Sequence, residues 1–275
     1  MHDVNTNARD ERVDKVRLRK ALGDRLIGHR LLYFLTLPST NDHVRELAED
    51  GWPEGTVVLS EEQTAGKGRA GRVWHSPPGV GLYLSVLLKP AIPGEKIPML
   101  TLMTAVAAVK GLRDCGHEAV LKWPNDVLLG SRKIGGVLAD ARVRPATPSV
   151  AEVVVGLGLN VNHSEQDFPP ELLARAGSLR LATGAPVDRT EILTRVLVRL
   201  DEAYASVKSG GDAAIVEAFI SLCPMARGRA VTVTGEGETF SGQTAGVTPT
   251  GALRVMTPAG MREIHAGEVA LSESS

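Results

Sequence analysis

Residues 63–74 read QTAGKGRAGRVW, and the way this stretch is taken decides which folds the rest of the chain can adopt. Gly66, Gly68 and Gly71 alternate with Lys67, Arg69 and Arg72, and Trp74 closes the run. Glycine tolerates positive φ and lets a backbone come close to a ligand. Cations set between glycines gather amide N–H groups and charged donors on one concave surface. Such a surface suits a phosphate or a carboxylate, because a guanidinium matches those anions two bonds at a time. A solvated basic turn accounts for the same residues. The phosphate-loop spacing G-x-x-x-x-G-K-[ST] is absent, since Gly68 follows Lys67. The glycines at 66, 68 and 71 fit the dinucleotide pattern G-x-G-x-x-G, but Pro77 and Pro78 follow within seven residues of Gly71. Two prolines forbid the helix that pattern requires. The loop is therefore flanked by extended structure and is not a dinucleotide fingerprint.

Working outward, Val13, Val16, Ala21, Leu22 and Leu26 have near-helical spacing, and residues 1–11 are expected to be disordered. Leu31 to Leu37 reads as a buried strand. Ser39 and Thr40 are natural caps for a helix carrying Val44, Leu47 and Ala48 and stopped by Gly51. Thr56 to Ser60 is a strand leading into the Gly/Arg loop, and Gly81 to Leu88 is the next. Met99 to Cys115 is a long apolar helix. Ala119 to Trp123 is a strand, and 127–129 pairs with 133–141 as a hairpin about Gly130-Ser131. Glu152 to Val161, apolar on both faces, has the character of a central strand. Helices follow over Asp188 to Lys208 and Asp212 to Leu222. From Arg229 to Leu271 the texture changes to about five short β-like runs cut by Gly and Pro, a small C-terminal module. The division is 12–224 for the main domain and 225–275 for the module.

The 275 residues carry 31 basic and 32 acidic side chains, a net charge of −1. Nothing global calls for nucleic acid or a membrane surface, so the cations at 67–72 are a local feature. The ten aromatics are too few for base stacking along an RNA strand. Cys115 and Cys223 form no C-x-x-C and are expected as reduced, buried thiols. The seven histidines show no H-E-x-x-H spacing, so no metal site built by the protein alone is expected. The first 20 residues lack the apolar core of a signal peptide. The longest apolar-rich run, Met99 to Val109, falls short of the ~20 residues a bilayer span needs. The expected compartment is the cytoplasm.

Besides the Gly/Arg loop, three clusters sit where strands meet loops. Ser39-Thr40-Asn41 starts a helix, and a plain N-cap explains it alone. Lys122-Trp123-Pro124-Asn125-Asp126 is good turn chemistry, and it also presents a Lys and an Asp at a strand mouth. Arg132-Lys133-Ile134-Gly135-Gly136 is a charged hairpin arm whose paired glycines weaken a strand unless something approaches closely.

Taken in order, STN at 39–41, EEQTAGKGRAGRVWHSPPG at 61–79, GLYLSVLL at 81–88, KWPNDVLL at 122–129, RKIGGVLAD at 132–140 and GLGLNVN at 156–162 closely resemble the bacterial biotin–protein ligases. The resemblance spans roughly residues 25 to 270, and the combination of motifs is far more specific than any one of them. It implies an α+β fold, a class II synthetase-like mixed β-sheet flanked by helices, with an SH3-like β-barrel at the C-terminus. It implies that biotin and MgATP form biotinyl-5′-AMP, and that the biotinyl group passes to a lysine of a biotin carboxyl carrier domain of acetyl-CoA carboxylase or a related carboxylase. By the same resemblance Ser39, Thr40, Asn41, Gln63, Lys67, Gly68, Arg69 and Lys133 bind biotin. Arg69, Arg72, Trp74 and Asn160 bind the nucleotide, and Lys133, Arg69 and Asp126 are catalytic, with Asp126 assisting the acceptor lysine. Cations around a meeting carboxylate and triphosphate offset their repulsion and stabilise charge at the α-phosphorus. A glycine loop can open for substrate and close over a reactive anhydride.

Two departures stand out. The family usually has Arg where this chain has Lys67, and Lys keeps the charge but loses the fork. The chain ends GEVALSESS, without the basic residue some members direct at the nucleotide. Only 38 residues precede Ser39, too few for the winged-helix domain of the long members, so the ligase-only type without DNA binding is expected. Lipoate–protein ligases share the implied fold, but their pattern lacks the GKGRAGR loop.

Overall fold

In the computed structural model, which describes residues 12–143, 150–235 and 238–272, strands on both sides of the Gly/Arg loop join one seven-stranded mixed sheet. The main elements in chain order are α1 (Lys15–Leu22), β1 (Leu31–Leu37), α2 (Thr40–Glu49), β2 (Val57–Gln63), β3 (Gly81–Leu88), α3 (Ile97–Asp114), β4 (Val120–Lys122), β5 (Asp126–Leu129), β6 (Arg132–Val143), β7 (Val150–Asn160), α4 (Leu179–Thr183), α5 (Arg189–Lys208) and α6 (Asp212–Leu222). A second sheet holds β8 (Arg227–Gly235), β9 (Glu238–Val247), β10 (Leu253–Thr257), β11 (Gly260–Ile264) and β12 (Glu268–Leu271). The expectation of disorder falls on residues 1–11, outside the described residues.

The first sheet has the order β1-β2-β3-β7-β6-β5-β4, with β1 and β2 parallel and every other pair antiparallel. The parallel pair follows from the β1–α2–β2 crossover, since a helix must return the chain to the same end. Strand alternation splits the core in two. Val57, Leu59, Leu82, Leu84, Val86, Val155 and Leu157 face the large cluster built with α3 and α5. Val58, Leu87 and Val154 face the smaller cluster beneath Val44, Leu47 and Ala48 of α2. The α3 helix is buried along most of its length, from Met99 to Leu112. Each large aliphatic side chain so buried contributes about 1.5–3 kcal/mol. An ion pair between Arg189 and Glu61, 2.7 Å apart and almost fully buried, ties the start of α5 to β2, and the same guanidinium nitrogen donates to the Gly81 carbonyl at 2.9 Å.

Three local expectations need correction. β1 is an edge strand and only half-buried, with Leu35 54% exposed, because nothing pairs with its outer side among the described residues. β7 is central, yet only one of its faces is apolar along its length. The other face carries Gly156, Gly158 and Asn160, a bare floor rather than a second packed layer. Cys115 is half-buried rather than buried, and burial pushes its thiol up to about 11.

The C-terminal sheet is antiparallel with the order β11-β10-β9-β8-β12. The SH3-like barrel is met as a five-stranded sheet whose ladder does not close among the described residues. This sheet shares the main core through Val231, Val233, Val247, Leu253 and Val255. Trp123, 2% exposed, donates its indole N–H to the Gly251 carbonyl at 3.0 Å, so this tryptophan of the 122–126 cluster joins the two sheets. No helix of the described residues is long and apolar enough to cross a membrane.

Candidate active site

The Gly/Arg loop folds back on itself. Trp74 N–H donates to Gly66 O at 2.9 Å, Gly68 N–H donates to Arg72 O at 2.7 Å, and Lys67 and Val73 form an isolated antiparallel bridge. A Cβ on Gly66 would lie 2.4 Å from the Trp74 carbonyl, so this glycine is required by the close return of the chain. Ala70 (φ 53°) and Gly71 (φ 72°) make the left-handed turn at the tip. The result is a short hairpin-like lid, more regular than its composition implied.

The lid covers one face of the sheet and leaves a cleft of about 550 Å³. Its floor is glycine. A Cβ on Gly156 would lie 2.1 Å from Asn41 Oδ1, and one on Gly158 would lie 2.4 Å from Trp74 Nε1. The β7 glycines are thus bare because side chains from α2 and from the lid lie flat on them. One wall is the start of α2. Thr40 donates from both N–H (2.9 Å) and Oγ1 (3.0 Å) to Gln63 Oε1, and Gln63 Nε2 donates to Ser76 Oγ at 3.0 Å. Ser85, fully buried on β3, lies 2.7 Å from Thr40 Oγ1 and 2.5 Å from Asn41 Oδ1. Asn41 Nδ2 and Trp74 Nε1 are buried donors without a partner among the described residues. An unpaired buried donor costs about 1–3 kcal/mol.

The opposite wall holds the charges. Lys133 Nζ is 2.5 Å from Asp126 Oδ1 and 5.5 Å from the centroid of the Trp74 ring. Lys133 itself is held by its backbone, which donates to Arg175 O at 2.8 Å and accepts from Gly177 N–H at 2.9 Å. Asn160 Nδ2 donates to Gly177 O at 3.0 Å, and Arg132 Nη1 donates to Leu173 O and Ala176 O. The 172–177 segment is therefore a strut under Lys133. Arg69 Nη1 reaches Asn125 Oδ1 at 3.3 Å. Burial pulls the Arg69 guanidinium below the usual arginine range; Asp126 opposes this and Arg72 adds to it. Arg72 is 3.6 Å from Glu268 of the C-terminal sheet, and Lys67 donates to Asp42 at 2.7 Å.

Thr40, Asn41, Gln63, Lys67, Gly68, Arg69, Arg72, Trp74, Asp126, Lys133 and Asn160 all line this one cleft. Ser39 does not; its hydroxyl caps α2 by accepting from Asp42 N–H at 3.4 Å. Sequence reasoning passed over Ser85, Ser76 and the strut, and took Asn125 only as part of the 122–126 turn. A lone serine inside GLYLSVLL was a signal for the first; the strut had none, because its role lies in backbone contacts. Thr232, Thr234 and Glu268 of the C-terminal sheet also line the cleft. The lining carries six basic and two acidic side chains, in a chain of net charge −1. Low-dielectric walls focus such a field on an anionic ligand. Among the described residues no group of three or more His, Cys, Asp and Glu is placed to hold a metal ion.

Comparison with known proteins gives a consistent picture. The profile of the Biotin/lipoate A/B protein ligase family matches residues 33–160, and that of the Biotin protein ligase C terminal domain matches residues 227–272. The bifunctional ligase/repressor BirA of Bacillus subtilis is 36% identical over 257 residues, covering 92% of this chain and 78% of its own. The biotin–[acetyl-CoA-carboxylase] ligase of Paracoccus denitrificans is 32% identical, over 84% of this chain and 96% of its own. Among solved structures, the biotin protein ligase of Aquifex aeolicus in complex with biotin and ATP superposes with a TM-score of 0.74 at 32% identity, covering 90% of this chain and all of its own.

Proposed function

The chain belongs to the biotin protein ligases of the biotin/lipoate A/B protein ligase family, and from that footing we propose how its cleft carries the reaction. The protein activates biotin with ATP and transfers the biotinyl group to a biotin carboxyl carrier lysine. The uncharged end of the cleft, with the Asn41 amide and the Thr40–Gln63–Ser85 network over the β7 glycines, takes the biotin ring system. The cationic end takes the carboxylate and the phosphates, and Mg2+ enters with the triphosphate. A carboxylate oxygen of biotin attacks the α-phosphorus, the bond to the β-phosphate bridging oxygen breaks, and pyrophosphate leaves. Lys133 stabilises the charge that builds on the α-phosphoryl oxygens, where fixed donors act most strongly, and Arg69 closes on the phosphate of the adenylate once it has formed. In the second step the acceptor amine attacks the acyl carbon, AMP leaves, and the amine proton passes to Asp126. The acceptor is the carrier domain of acetyl-CoA carboxylase or a related carboxylase.

The observation that carries these roles is that Lys133 pairs with Asp126 at 2.5 Å while Arg69 reaches the adjacent Asn125 at 3.3 Å, beside a floor that glycines leave open. Biotin-dependent exchange of pyrophosphate into ATP tests the first step, with lipoate as comparator. Exchange stimulated by lipoate and not by biotin would overturn the reading.

A further inference from the structure

Each cation of the lid is held by a different wall of the cleft. Arg69 reaches Asn125 beside β5, Arg72 reaches Glu268 on β12, and Lys67 reaches Asp42 in the first turn of α2. The last contact differs from the others in being the short end of a chain of charges. Asp42 Oδ1 accepts from Lys67 Nζ at 2.7 Å and from Arg45 Nη1 at 3.0 Å, and Arg45 in turn pairs with Asp140 on β6. The chain alternates in sign, so no charge in it is left uncompensated. It runs from the lid across α2 to the sheet. Asp42 follows directly on Thr40 and Asn41, so the helix turn that positions the neutral end of the cleft also grips the lid. Its side chain does not line the cleft itself.

We propose that Asp42 is a positioning residue: by holding Lys67 to the start of α2 it keeps the 63–74 lid folded over the acyl-adenylate and slows its escape. This rests on the function proposed above. A single exposed ion pair contributes little, whereas a shared carboxylate in a network holds its partners in one geometry. A lysine ammonium, a compact point charge, needs such a partner to be fixed in direction.

The test loads the full chain with biotin and labelled ATP, chases with unlabelled biotinyl-AMP and follows release of the label. Asp42→Asn is expected to release the adenylate about two- to fivefold faster, while pyrophosphate exchange turns over as in the wild type. Asp42→Glu, which restores the carboxylate, should recover slow release. At ~1 M salt, where the screening length falls to about 3 Å, the difference in release between wild type and Asp42→Asn should shrink toward none. In a Lys67→Ala background Asp42→Asn should add nothing. Unchanged release by Asp42→Asn at low salt, or effects of the two substitutions that simply add, would overturn the tether. Absence of biotin-dependent exchange in the wild type would instead overturn the reading of the site.

Discussion

Arg69 is the lid residue whose removal should separate making the adenylate from keeping it. Among the described residues its guanidinium meets one neutral acceptor, Asn125 Oδ1, at 3.3 Å. That is beyond the usual 2.7–3.2 Å range of N–H···O bonds, so the contact is weak. Burial disfavours its charged form, and the nearby Asp126 carboxylate is already paired with Lys133. A half-buried cation held this loosely is free to close on a phosphate. Arg69→Ala removes little that the fold uses, because the backbone turn is made by Ala70 and Gly71. It does remove one charged partner of the bound adenylate, a loss of about 1.5–3 kcal/mol. At 1.4 kcal/mol per decade that is roughly a tenfold to hundredfold faster escape. The variant should still form biotinyl-AMP, release it, and let it acylate lysines of unrelated proteins. The assay incubates wild type and variant with biotin, MgATP and a bystander protein lacking a carrier domain, then blots for biotin. Negligible labelling of the bystander by a variant that still exchanges pyrophosphate would refute the reasoning.

Lys133→Ala should lower adenylation by about 10²- to 10³-fold, the loss seen when one fixed donor to a developing charge is removed. Its side chain is 35% exposed, so the thermal midpoint should stay near the wild-type value; near-normal pyrophosphate exchange would reduce Lys133 to an edge charge. Ser85→Ala leaves Thr40 and Asn41 without their shared neighbour and should raise KM for biotin about tenfold at little change in kcat, as expected for a contact worth ~1–1.5 kcal/mol that is made equally in ground and transition states. A fall in kcat at constant KM would place Ser85 elsewhere in the mechanism. His163 is fully buried, stacked on Phe168 and 3.2 Å from the Tyr83 hydroxyl, and burial drives its pKa from 6.5 down to about 3. The unfolded chain therefore takes up a proton near pH 6.5 that the folded chain refuses, so stability is complete above that pH and is lost on acidification toward pH 3. Between about pH 7 and pH 5 this group should cost about 2 kcal/mol, at about 1.4 kcal/mol per pH unit. Denaturant titrations of wild type and His163→Phe across that range measure it, and identical pH slopes would contradict it.

Much of the fold was legible in the sequence because it depends on neighbours close along the chain. Gly81–Leu88 and Asp212–Leu222 have the bounds their composition sets, and the Gly130-Ser131 hairpin forms where its turn residues stand. The ordered motifs at 39–41, 61–79, 122–129, 132–140 and 156–162 led to the ligase family before any contact was known. The sequence by itself therefore determined the elements and the reaction class. Its local signals did not show which face of an element matters. Residues 152–161 read as a strand apolar on both faces, yet Gly156 and Gly158 leave one face bare for Asn41 and Trp74 to lie on. Ser39 shares a tripeptide with two cleft residues and yet turns its hydroxyl to the helix cap. Lys67 meets Asp42 across 25 residues, Arg69 meets Asn125 across 56, and the C-terminal strands enter the cleft from the far end of the chain. Backbone preferences are set by steric and capping interactions within about one helical turn or one strand pair. Hydrogen bonds and ion pairs act over a few ångströms of space whatever the separation along the chain, so only packing decides which side chains meet.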